Sequence, residues 1–119
     1  MDTYTLAFAT RLKRRIFNAG GIRNETETMF RDILKQKNID VISMEFSDYG
    51  IVITAKGFAS EEDAAKTAKE LRIRTSKPLR YQYYELGKMP SLWTENVFIK
   101  NSRADDNEIS AYYDKIKTR

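Results

Sequence analysis

The chain has no cysteine among its 119 residues, so disulfides and thiolate metal sites are excluded. It has no histidine either, which removes the commonest general base and the commonest metal ligand together. Any catalysis is left to carboxylates, lysine, serine or tyrosine. No apolar run approaches the roughly 20 residues that cross a bilayer, and no basic region followed by an apolar core marks a secretory leader. A phosphate loop of the GxxxxGK form and a GxSxG elbow are missing as well. These absences predict an intracellular, cytoplasmic protein with no membrane partner.

What is present suits one globular domain over residues 1–119: 41% apolar and 32% charged residues. The net charge is only +4, but the basic residues cluster, as in Arg11-Leu12-Lys13-Arg14-Arg15. For a polyanionic partner, clustering matters more than the total.

The most apolar stretch is Ile39 to Phe58, IDVISMEFSDYGIVITAKGF. Val41, Ile42, Met44, Phe46, Ile51, Val52 and Ile53 suit a half-buried pleated surface, so it reads as two strands joined by a tight turn at Ser47–Gly50. Its apolarity predicts the centre of a sheet. Before it, Thr3 to Thr10 forms a first strand, with Tyr4, Leu6 and Phe8 on one parity. The basic run Arg11–Arg15 comes next, either as a phosphate-contacting turn at the mouth of the sheet or as a solvated loop. Asn24 is placed to cap a helix to about Lys37, with Met29, Phe30, Ile33 and Leu34 as its apolar stripe.

Ser60 opens a second helix, with Asp63 three residues on and Ala64, Ala68 and Leu71 buried. Glu61-Glu62-Asp63 suits the positive end of that helix better than a metal cluster. Lys66, Lys69, Arg72 and Arg74 lie opposite the buried stripe. Lys77 and Arg80 extend this basic track past a break expected before Pro78. Tyr81, Tyr83 and Tyr84 then interleave with the charges, either as stacking platforms for nucleic acid or as cover for the core edge. Leu92 and Trp93 anchor a loop. Glu95 to Lys100 makes a last strand, and Asp105 or Asp106 caps a terminal helix to about Lys117, with Ile109, Tyr112, Tyr113 and Ile116 on one face. The order β-α-β-β-α-β-α predicts an α+β fold: a ferredoxin-like antiparallel sheet with an additional C-terminal helix.

With these elements in order, the chain resembles the single-tyrosine transposases of the HUH superfamily. TYTLAFATRLKRRIF is similar to that family's opening strand and basic turn. IDVISMEFSDYGIVI is similar to the hairpin ending in its aspartate–histidine–hydrophobic–histidine motif. LWTENVFIKNS resembles its tryptophan-containing last strand, and DDNEISAYYDKIK the helix that carries its nucleophilic tyrosine. The resemblance implies metal-assisted transesterification on single-stranded DNA. Two histidines and a polar residue one turn after the tyrosine hold the cation, and the tyrosine forms a 5′-phosphotyrosine link.

Carried over by position, Asp48 matches the motif's aspartate, Tyr49 and Ile51 fall at the histidines, Tyr112 at the nucleophile and Ile116 at the third ligand. Isoleucine has no lone pair for a cation, and tyrosine with its pKa near 10 is a poor ligand for magnesium or manganese. Asp48 and Glu45 are the carboxylates left nearby. Tyr49, Ile51 and Ile53 alternate onto one face of their strand, expected to lie under the terminal helix. The expectation is a metal-free, degenerate site filled by apolar contact, with no cofactor. The function expected is a nucleic-acid-binding protein that does not nick DNA, gripping single-stranded or hairpin DNA as a homodimer through Arg11, Lys13, Arg14, Arg15, Lys69, Arg72, Lys77 and Arg80. One alternative is an active nickase or transposase using Tyr112 with magnesium or manganese. The other is a protein-interaction module on the same fold.

Overall fold

The computed structural model describes residues 2 to 118. The chain runs β1 (Thr3–Ala9), α1 (Gly20–Gln36), β2 (Asp40–Phe46), β3 (Gly50–Lys56), α2 (Glu61–Gln82), β4 (Phe98–Lys100) and α3 (Asp106–Asp114). All strand pairs are antiparallel, in the order β2-β3-β1-β4. This is the ferredoxin-like α+β arrangement with a helix added at the C-terminal side, as the element order predicts. Among the described residues no helix is long and apolar enough to cross a membrane.

β1 is buried from Tyr4 to Ala9 because both faces of the sheet are covered. Tyr4, Leu6 and Phe8 point into the main core with residues of α1 and α2, among them Phe30, Leu34, Ala68 and Leu71. Ala7 and Ala9 point the other way, into a smaller cluster with Tyr112 and Ile116. Small residues on that face let α3 lie close to the sheet. The main core holds a ring cluster in which Trp93 meets Phe8, Phe17 and Phe30 at centroid separations of 6.1, 6.0 and 5.6 Å. The Trp93 indole N–H donates to Thr75 Oγ1 at 2.9 Å, which satisfies its one polar group inside the core.

The apolar hairpin is not the middle of the sheet. β3 is central, but β2 is an edge strand. A register shift between Val41 and Ser43 leaves Ile42 as an extra residue, and its side chain is exposed. The bulge reverses the parity of the residues after it. Val41, Met44 and Phe46 therefore all reach the main core although they do not share one alternation.

Four elements differ in their bounds from the sequence expectation. α1 starts at Gly20, four residues before Asn24, with Ala19 at the N-cap and no side-chain cap. Burial of Ile22 and Thr26, in line with Phe30, Ile33 and Leu34, draws that turn into the helix and offsets the roughly 1 kcal/mol that each glycine costs. α2 runs through Pro78 to Gln82. Pro78 is exposed, so the carbonyl one turn before it, which loses its N–H partner, is left to solvent. β4 is three residues long rather than six, and α3 ends at Asp114 rather than about Lys117.

The start of α2 is capped as its sequence implies, with Ser60 Oγ accepting from Asp63 N at 3.1 Å. The Asp63 carboxylate accepts from Ala59 N at 2.9 Å. α3 has a full capping box between Asp105 and Glu108. Buried Thr5 fixes the approach to α3: its hydroxyl donates to Ser102 O at 2.8 Å and accepts from Ala104 N at 3.1 Å.

Candidate functional site

The turn after β1 carries the densest positive charge in the chain. It is held by backbone bonds to two distant segments: Thr10 N donates to Tyr49 O and Arg11 N to Leu92 O, each at 2.9 Å. Thr10 Oγ1 donates to Arg14 O at 2.7 Å. Within this frame Leu12 and Lys13 both take left-handed backbone angles, φ 58° and 53°. Two successive non-glycine residues in that region are strained, and such strain persists only where surroundings impose it. The result is a reversal that presents Arg14 and Arg15 outward.

The C-terminal half of α2 meets this turn at the loop after the helix. Arg11 Nη1 donates to Ser91 Oγ at 3.3 Å. Arg80 Nη1 donates to Met89 O and Pro90 O, each at 3.2 Å. Arg11 and Arg80, 69 residues apart in sequence, therefore both reach one three-residue stretch. Tyr81 and Tyr84 stand almost free in solvent, 93% and 81% exposed. Lys88 Nζ lies 5.3 Å over the Tyr84 ring. Tyr83 does cover the core edge, and its hydroxyl donates to Gly21 O at 3.1 Å.

The other candidate cations are placed differently. Lys77 is exposed on α2. Lys69 is exposed too, but about 16 Å further back along the helix axis from Arg80. Arg72 is half-buried and its Nε has no hydrogen-bond partner. Lys13 Nζ sits 5.7 Å over the Tyr49 ring. Arg15 and Asp48 form an exposed ion pair at 3.8 Å, too long and too wet to hold either firmly.

The face of the sheet beneath α3 is the second candidate site. Ile51 and Ile53 do not lie on it; both are fully buried in the main core on the opposite face. The β3 residues under α3 are Gly50, Val52 and Thr54. The register is one residue away from the sequence expectation. Tyr49, before the strand, still reaches that side and packs its ring at 5.3 Å and 85° to Tyr113.

Tyr113 fills the space over Gly50. A Cβ built on Gly50 would lie 2.7 Å from Tyr113 Cζ, well inside van der Waals contact. The Tyr113 hydroxyl donates to Phe8 O at 3.2 Å. Tyr112 is buried beside Ile116, and its hydroxyl donates to the carbonyl of Asn96. Burial raises the pKa of both phenols well above the usual tyrosine value. Arg72 opposes the shift at Tyr112, while Tyr112 and Tyr49 add to it at Tyr113. Both are therefore neutral donors at physiological pH. Among the described residues no three carboxylates, histidines or cysteines come together as cation ligands.

No family model matches the chain, and no curated protein matches it. Among solved structures, a crystal structure titled as that of a putative transposase from Deinococcus radiodurans R1 superposes with a TM-score of 0.78, covering 98% of this chain and 92% of that one. The fold is transposase-like. At 16% identity the likeness carries architecture and not individual residues.

On this transposase-like fold the sequence missed two features. Gly50 looks like an ordinary turn residue until Tyr113 is seated on it. Glu85, Lys88 and Met89 join Arg14 and Arg15 around one cavity, which no local pattern announces.

Proposed function

We propose that this chain is a nucleic-acid-binding protein on a transposase-like fold, one that grips single-stranded or hairpin DNA without cutting it. The observation that carries the reading is the meeting of Arg11 and Arg80 on residues 89–91. Arg14, Arg15 and Lys88 line one cavity there, and the exposed Tyr84 ring lies under Lys88. Guanidinium groups suit phosphates, and an exposed phenol ring offers a stacking platform. The segregation of these groups favours this reading over a protein-interaction module, for which scattered charges would suffice.

The lack of cutting rests on the face beneath α3. The resembling family's histidine–hydrophobic–histidine pattern, placed by face rather than by the preceding aspartate, falls on Gly50, Ile51 and Val52. The two inward positions are then a glycine and a valine, neither able to bind a cation. Tyr113 occupies the room a side chain at position 50 would need. Tyr112, the counterpart of the nucleophile, is buried, neutral and already hydrogen-bonded. The proposed activity requires no metal or other cofactor. The homodimer belongs to the same resemblance.

Removing charge from the turn tests the grip. Arg14→Ala/Arg15→Ala should weaken hairpin-DNA binding and lower the slope of log affinity against log salt by about 2. Lys35→Ala, at the far end of α1, should leave both unchanged. Equal effects of the two changes would remove the proposed interface. A covalent adduct with single-stranded DNA in manganese, lost in Tyr112→Phe, would establish the strand-transfer alternative instead.

A further inference from the structure

The cavity between the arginine turn and the loop after α2 has a volume of about 420 Å³. That lies within the roughly 300–1,000 Å³ of small-ligand clefts. Its floor is apolar: Ile22, Leu86 and Met89 are buried core residues that show one side to it. Its rim is cationic, formed by Arg14, Arg15 and Lys88. Among the described residues no carboxylate lies within 4.0 Å of Arg14 or Lys88, and the one near Arg15 is loose. One carboxylate, Glu85, stands in the wall.

A ligand that fits must be flat and apolar at one end, anionic at the other, and able to donate a hydrogen bond between. We infer that this cavity takes a single nucleotide: its base on the Met89 and Leu86 floor, its phosphate on Arg14, Arg15 and Lys88. Glu85 accepts from an exocyclic amino group on the base. Methionine is a soft, polarizable surface for an aromatic ring, and arginine matches phosphate oxygens two at a time. A carboxylate accepts from the amino group of cytosine and finds no donor of that kind on thymine. The side chain that looks misplaced among cations is then the one that selects the base. The first turn of α1, uncapped by any side chain, opens on the same cavity and adds its partial positive charge.

The inference deepens the nucleic-acid reading and rests on it for the source of the nucleotide: one unpaired base of a bound strand. Calorimetric titration of the intact chain with deoxycytidine monophosphate, thymidine monophosphate, deoxycytidine and inorganic phosphate tests it. Deoxycytidine monophosphate should bind about tenfold tighter than thymidine monophosphate, and Glu85→Gln should narrow that gap. It should also bind more tightly than deoxycytidine or phosphate alone. Ala19→Phe, at an exposed wall position, should block it without touching the core, and Arg14→Ala should weaken it.

Deoxycytidine monophosphate binding no tighter than phosphate, or unaffected by Ala19→Phe, overturns the pocket. If an oligonucleotide still binds with its salt dependence, that result leaves the nucleic-acid reading standing. Tight mononucleotide binding with no oligonucleotide binding supports the pocket and sinks the wider reading.

Discussion

Gly50 and Tyr113 are the pair that closes one end of the face beneath α3. Gly50 takes an ordinary backbone conformation, so its small size answers to the phenol above it and not to a turn. Gly50→Val should destabilise the chain by about 1–3 kcal/mol through overpacking. The same change should cost less in a Tyr113→Ala background, and a denaturant double-mutant cycle measures the difference. Additive costs would mean that the two residues do not meet. Trp93 and Thr75 make a second checkable pair. Thr75→Val keeps the shape but strands a buried indole N–H, and should cost about 1–3 kcal/mol in chemical unfolding. Neither pair was legible beforehand. A register counted from Asp48 puts Ile51 beneath the terminal helix with Tyr49; Tyr49 does reach Tyr113 there, but Ile51 lies in the main core. The true register is set by β1 pairing, with Ala9 opposite Gly50 and Phe8 opposite Ile51.

Among the elements, α3 depends most on being dry. Its two tyrosines have raised pKa values through burial. In the unfolded chain they ionise near pH 10, while in the folded chain they keep their protons. The folded state then binds more protons above that pH, so stability falls as pH rises through it. A thermal-melting series from pH 8 to pH 11 should show that decline, made shallower in Tyr112→Phe and Tyr113→Phe. An unchanged slope in both variants would mean that the phenols are solvated.

Element order, strand parity in β1, the caps of α2 and α3 and the stripe of α1 were all readable from periodicity and cap residues. The central strand, the bulge at Ile42 and the passage through Pro78 were not. Each is decided by neighbours. β1 and β3 each pair on both edges, which leaves β2 at the edge despite its apolarity, and Pro78 faces water where its missing bond does little harm.

At the scale of the whole molecule, the two faces of the sheet have separate roles. One face carries the main core, and the rim of that core presents the arginine turn, the end of α2 and the nucleotide-sized cavity. The other carries a small apolar cluster of Ala7, Ala9, Tyr112 and Ile116 beneath α3. The basic clusters were visible in the sequence, but their meeting at residues 89–91 was not, because it depends on how the loop after α2 folds back. Under the proposed function, a binding surface has outlived its chemistry. The most direct test is fluorescence anisotropy of a labelled DNA hairpin with the intact chain, titrated between about 50 and 200 mM salt, where several phosphate contacts should weaken affinity by orders of magnitude along a log–log line. That line is the expected result. Absence of binding at the lowest salt, or binding indifferent to salt, would contradict the proposed grip on DNA.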